Sequence, residues 1–171
     1  MAYYYLASQL PYLVYGQPAP FSSAVFKDMC HVKLSKVDLA QLDFCVLDPA
    51  ADIPVSSFIS KWYTWESALR LNLARYRAIR LKRDTPEPPA YPADASALAK
   101  QAVSIESPLE AELFLDEARW KVIESLQGLQ YFHVNTIYAY LLKLLLMERR
   151  TAFAMEEGFA EYKRLYAVIR G

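Results

Sequence analysis

Glycine is scarce in this sequence. The 171-residue chain has four, too few for the many tight turns of a β-sandwich or barrel. Cysteine is scarcer still. Cys30 and Cys45 form no CxxC pair, and His31 beside Cys30 does not complete a zinc site, which takes about four ligands at characteristic spacings. Both cysteines read as reduced, buried thiols. Net charge is absent: 19 acidic and 19 basic residues cancel, leaving no global field to attract nucleic acid or an anionic membrane. No apolar run is long enough to span a bilayer. The most apolar stretch, Ile137 to Met147, reaches only about half of the length a spanning helix needs, and Lys143 interrupts it. The opening MAYYYLASQLPYLVYG has neither the basic nor the continuous apolar region of a secretory signal. These absences together predict a cytoplasmic chain with no direct membrane span.

Catalytic signatures are missing as well. The two histidines, His31 and His133, sit in no recognisable nucleophile motif. There is no GxxxxGK[ST] and no GxGxxG to cradle phosphate. Glu66, Glu110 and Glu148 fall on three separate predicted helices, as the carboxylates of a di-iron bundle would. That site also needs ExxH on two helices, and no ExxH occurs. The expectation is therefore no catalytic residue, no metal and no cofactor.

What the sequence does contain is helical pattern. Ser22 or Ser23 is placed to cap a short helix through about Leu34, and Ser35 with Asp38 offers a second cap for Lys36 to about Val46. Ser56 or Ser57 begins a long helix. In it Phe58, Trp62, Trp65, Leu69, Leu73, Tyr76 and Ile79 recur at spacings of three and four, one apolar stripe. DTPEPPAYPAD, residues 84–94, carries four prolines and is predicted as a stiff connection. A short helix around Ala95 to Val103 follows it. Ser107-Pro108-Leu109-Glu110 is a helix start with cap, N1 proline and capping-box glutamate, and Gly128 is a natural stop. Asn135 is placed to cap the next helix, to about Ala154. Gly158 is placed to break or kink the chain before a last stripe of Phe159, Tyr162, Leu165 and Ile169. Tyr3 to Tyr15, with Pro11 inside, shows no helical period and is predicted to be extended. The fold class is all-α. A single helical domain over 1–171 is expected, with a long antiparallel hairpin of about 56–83 and 107–127 and an extended N-terminal segment.

Charge supports that hairpin. Between Lys61 and Arg83 stand Lys61, Arg70, Arg75, Arg77, Arg80, Lys82 and Arg83 against Glu66 alone. Between Glu106 and Glu124 stand Glu106, Glu110, Glu112, Asp116, Glu117 and Glu124 against Arg119 and Lys121. Packed antiparallel, opposite charges would flank a shared apolar seam. Exposed pairs contribute about 0.2–1 kcal/mol each, so charge mainly selects the partner. Burial of Trp62, Trp65, Leu69, Leu113, Trp120 and Ile123 would supply the energy, roughly 1.5–3 kcal/mol per large side chain. The residues expected to pair the helices are Trp62, Trp65, Glu66, Arg70, Arg77, Glu110, Glu112 and Trp120. Glu66 has a simpler partner in Arg70, four residues on. Charge cancelled by a neighbouring helix argues against nucleic acid, and no helix-turn-helix or RRM signature accompanies the basic one. Arginines left over after internal pairing, Arg75, Arg80 and Arg83, with Tyr162 and Tyr166 of the last stripe, are the expected contacts to a partner.

Four segments, in order, carry a family resemblance: YYYLASQLP, FISKWYTWESALRLNLARYRAIRLKRD, ESPLEAELFLDEARWKVIESLQG and YFHVNTIYAYLLKLLLMERRTAF. Together they resemble a bacterial family of unknown function encoded in V-type ATPase operons. The last segment is also similar to the C-terminal helix of the funnel-shaped C/d rotor component of V/A-type ATPases. On that similarity Phe132, Tyr140, Leu141, Leu142, Glu148 and Arg149 occupy the matching positions. That component is all-α, sits on the membrane ring and receives the central shaft, without catalysis. This chain is much shorter than a complete funnel component, which is built from repeated helical modules. The resemblance implies a non-catalytic subunit or accessory factor, cytoplasmic and peripheral to the inner membrane, with rotor ring and central shaft as partners. Two rivals remain: a transient assembly or regulatory factor, and an unrelated helical enzyme with Trp62, Trp65 and the arginine face as an anion pocket. The direction in which Arg70 and Arg77 point discriminates the last.

Overall fold

The computed structural model describes residues 2–49, 56–85, 87–89, 92–129 and 131–170, with the side chains of 2, 156, 157, 159 and 161–170 outside that description. Among the described residues there are seven helices and no strand: α1 (Ala2–Gln9), α2 (Ser23–Lys33), α3 (Lys36–Leu42), α4 (Ser57–Arg80), α5 (Ala93–Ser104), α6 (Pro108–Gln127) and α7 (Val134–Arg170). The fold is all-α.

Local chemistry sets most of the boundaries. The hydroxyls of Ser22, Ser35 and Ser107 accept from the amides of Val25, Asp38 and Glu110, each satisfying a donor the first helical turn leaves free. Pro108 occupies the start of α6, and Gly128 ends it at φ +63°, a left-handed conformation that glycine adopts without a Cβ clash. Ser56 precedes α4 without a side-chain cap, and its own amide donates instead to Gln41 Oε1.

α4 organises the core. Phe58, Ile59, Trp62, Trp65, Ala68, Leu69 and Leu73 are buried along one face. The stripe fades beyond Leu73: Tyr76 is half-buried and Ile79 is 47% exposed. α6 runs antiparallel to α4. Its first residues, Pro108 and Ala111, share a groove with Arg77 and Arg80, while Val122 and Leu126 share another with Ser60 and Trp65. The two helices do not form a simple hairpin, however. The chain returns along α4 and then climbs it again as α5, with Trp65 Nε1 bonded to Asp94 and Arg80 to the carbonyl of Val103. α5 is α4's most extensive neighbour. Its Ala95, Ala99 and Ala102 are fully buried, and small side chains let the two backbones approach closely.

α7 lies antiparallel to α6, Lys143 reaching Glu124 and Arg149 reaching Glu112. Ile137, Tyr138, Leu141, Leu142 and Leu144 are buried in the bundle. Three sequence expectations are corrected. The N-terminal segment is not wholly extended, because residues 2–9 form α1. Tertiary contact overrides the missing periodicity: Leu6 is 1% exposed, Tyr3 Oη donates to Asp38, and the Tyr4 ring packs at a tilt against Phe132. Pro11 then prevents continuation. Gly158 does not break the last helix, since α7 is continuous for 37 residues. A single glycine in a helix interior costs only about 1 kcal/mol relative to alanine, too little to stop it alone. Asn135 is not the cap of α7, which begins at Val134. The Asn135 amide donates to His133 Nδ1.

Candidate functional site

A chain of ion pairs crosses the middle of the bundle. Glu66 of α4 is fully buried and accepts two hydrogen bonds from Arg119 of α6, from Nε and Nη2, both 2.9 Å. Arg119 Nη1 reaches Asp116 one turn earlier, at 2.9 Å. Asp116, also fully buried, accepts from Arg149 of α7 at 2.7 Å, and Arg149 bonds Glu112 at 3.0 Å. On the other side Glu66 accepts from Arg70, which extends to Asp48 at 2.6 Å and to the carbonyl of Leu47. The network ties the α3–α4 connection, α4, α6 and α7 together.

Why these side chains meet follows from helix geometry. Glu66 and Arg70 are one turn apart on α4, as are Asp116 and Arg119 on α6, so each helix presents a pre-aligned pair. The antiparallel packing brings the two pairs into register. The innermost groups, Glu66, Asp116 and Arg119, carry an excess negative charge that the half-buried Arg149 and the more exposed Arg70 offset. Burial is the largest influence on Asp116 and pushes its carboxyl above the usual range, while Arg149 and Arg119 hold it back. Burial opposes the charge on Arg119, but its bonds to Glu66 and the attraction of Glu66 and Asp116 outweigh that and raise its pKa. Asp116 Oδ2 accepts no hydrogen bond among the described residues. Removing one member would leave an uncompensated buried charge, so the cluster strongly specifies this arrangement.

The expected pairing between a basic α4 and an acidic α6 is reversed in detail. The one ion pair between those two helices among the described residues joins Glu66, the single acid on the basic helix, to Arg119, a base on the acidic helix. Arg70 faces Glu66 and Asp48, not α6. Glu112 pairs with Arg149 of α7, and Glu110 is exposed in the first turn of α6. Arg77 is exposed beside the start of α6, without an ion pair to it. Neither arginine is therefore held by α6's acids, the arrangement that would have ruled out an anion pocket, and Arg77 lines a groove at the start of α6. The reason is desolvation: long arginines at exposed positions keep their solvation, and only side chains on the inner faces must find partners. Trp62 and Trp65 stack on each other, centroids 6.0 Å apart, with Trp62 fully buried and bonded to the carbonyl of Val46. Trp62 is core, while Trp65, 5% exposed, also lines the groove shared with Lys61, Val122 and Leu126. Trp120 is buried with Lys143 of α7 over its ring, Tyr15 tilted against it and Glu124 accepting from its Nε1.

Of the expected partner contacts, Arg80 is exposed but donates to Val103, Arg75 lies over the Tyr76 ring, and Arg83 is exposed. Tyr162 and Tyr166 have side chains outside the described residues. Two contacts had no sequence signal. Glu148 accepts from both the amide and the hydroxyl of Ser23, at 2.6 and 2.8 Å, anchoring the start of α2 to α7. Tyr138 reaches the backbone and carboxylate of Asp38, one hundred residues away. Among the described residues no cluster of acidic, histidine or cysteine side chains is arranged to hold a metal ion, and no helix is long and apolar enough to cross a membrane. Compared with protein-family models, with curated proteins and with solved structures, the chain gives no significant match.

Proposed function

We propose that this protein is a non-catalytic helical subunit or accessory factor of a bacterial V-type ATPase, in the position of the funnel-shaped component between rotor ring and central shaft. The observation that carries the reading is the use made of the segment similar to that component. Tyr140, Leu141 and Leu142 are buried, Glu148 anchors α2, and Arg149 bridges α7 to Asp116 and Glu112 of α6. Charged residues in that segment are engaged in holding helices together. An adaptor that transmits force needs this kind of cross-bracing, because packed elements with a discrete ionic register resist sliding. The buried tryptophans likewise favour a mechanical role over the anion-pocket enzyme.

The test is affinity purification of the protein from its native membranes in mild detergent, with subunit stoichiometry by mass spectrometry. Recovery of the V-type ATPase with one copy per complex is the expected result. Low occupancy would transfer the reading to a transient assembly factor. Absence of every ATPase subunit would overturn it.

A further inference from the structure

We infer that the groove where the end of α4 meets the end of α5 and the start of α6 docks an acidic, amphipathic segment of a partner protein. This deepens the adaptor reading, on which it rests, by naming the chemistry of what the adaptor receives. The groove encloses about 400 Å³. Its walls are Arg77, Arg80 and Leu81 on one side and Val103, Ile105 and Glu106 on the other.

Three observations converge. The first is unused charge. Arg77, Lys82 and Arg83 are exposed, and among the described residues their side chains make no ion pair or hydrogen bond, while Arg80 spends one donor on Val103. Among the described residues Arg70, Arg119 and Arg149 are held in ion pairs and Arg75 and Arg150 lie over aromatic rings, so the unpaired guanidinium groups gather at this end of α4. The second is exposed aliphatic surface in the groove itself. Leu81, 60% exposed, lines it beside Arg77 and Arg80. The third is Lys82, which holds φ +54° and is the one non-glycine residue at positive φ among those described. It ends α4 with the Arg83 amide bonded back to the Ala78 carbonyl, a turn for which glycine is the low-cost residue. A lysine there adds a cation at a conformational expense that its favourable place near the helix C-terminus does not offset.

Cations beside aliphatic side chains fit carboxylates beside leucine-like side chains, the pattern of an acidic amphipathic helix laid in a groove. Glu106 in the wall discriminates against the alternatives. A nucleic-acid backbone or an anionic lipid surface presents negative charge without relief, and Glu106, with Glu110 following, would repel it. A protein segment can set a lysine or an amide opposite Glu106 while its acids meet Arg77 and Lys82.

The experiment places the photo-crosslinking residue benzoyl-phenylalanine at Leu81 in the full chain, in native cells, and sequences the crosslinked peptides. The expected product is a peptide of another protein with acidic and apolar residues at helical spacing. Its yield should fall at least tenfold in Arg77→Glu/Lys82→Glu and severalfold in Lys82→Gly, which removes a cation while relieving the backbone. Lys61→Glu, at the opposite end of α4, should leave it unchanged, and circular dichroism checks the fold of each variant. Crosslinks to lipid, to nucleic acid, to a second copy of this chain or to a peptide without acidic excess would overturn the inference, as would no crosslink or indifference to charge reversal. An acidic segment from a protein outside the V-type ATPase would uphold the groove and overturn the ATPase reading. Co-purifying ATPase with no acidic crosslink from Leu81 would do the reverse.

Discussion

Arg119→Met is the sharpest test of the buried network. The substitution keeps an unbranched chain of similar length and removes one charge. Glu66 loses both bonds from Arg119 and Asp116 loses one. Two fully buried carboxylates are left with partners only nearer the surface, Arg70 and Arg149. Breaking a buried pair from one side costs about 3–5 kcal/mol, and for a chain of this size about 2–4 °C of Tm accompanies each kcal/mol, so Tm should fall by about 6–20 °C. The double variant Glu66→Met/Arg119→Met leaves no orphan at that contact and should recover about 1–3 kcal/mol of the summed single losses. The loss in Arg119→Met should also shrink as pH falls from about 7 to about 5. Asp116, held above the usual carboxyl range by burial, loses one of its two cations and binds a proton more readily folded than unfolded, so the folded state gains on acidification. Asp116 already leans this way in the native protein. Its raised pKa contributes stability that is present below the ordinary carboxyl range and lost as pH rises through the raised value. Thermal unfolding followed by circular dichroism at both pH values reads all of this. A Tm loss under about 2 °C for Arg119→Met, strict additivity in the double variant, or equal losses at both pH values would refute the reasoning.

Other consequences are simpler to measure. Lys82→Gly should raise stability by about 0.5–1 kcal/mol, because glycine reaches the left-handed region without the clash lysine suffers; an unchanged or lower denaturant midpoint would contradict this. Glu148→Gln should weaken the anchorage of α2 by about 1–2 kcal/mol, because both bonds lose their charge assistance and one acceptor becomes a donor. Amide hydrogen exchange at Ser23 should accelerate while exchange in the α4 core does not. Burial pushes the Cys30 thiol up to about 12 and the Cys45 thiol higher still, so neither should react with a thiol reagent at about pH 8 until the protein is denatured. Rapid labelling of both in the native protein would show that this part of the core is open.

Helices were legible wherever local chemistry decides. Ser22, Ser35 and Ser107 cap where their spacing predicts, and the stripe from Phe58 to Leu73 is buried as its period requires. A cap or a stripe is read from residues within a turn or two, so the sequence contains the whole argument. α1 was not legible, because its helix rests on Leu6, Tyr3 and Tyr4 finding partners far along the chain. The continuity of α7 through Gly158 was likewise hidden, since one unfavourable residue is outweighed by its neighbours.

The charged residues divide along the same line. By itself the sequence determined that one helix is basic, that the next long one is acidic, and that Glu66 and Arg70 stand one turn apart. Only the tertiary structure decided which charges are used. Coulomb attraction between exposed side chains is weak in water, so composition cannot assign partners. Burial removes the water and makes every unpaired charge costly, and the groups turned inward, Glu66, Asp116, Arg119 and Arg149, all find partners. Which way each helix turns is set by the packing of all of them together, and that is why the minority charges of α4 and α6, not the majority ones, form the bridge between those helices.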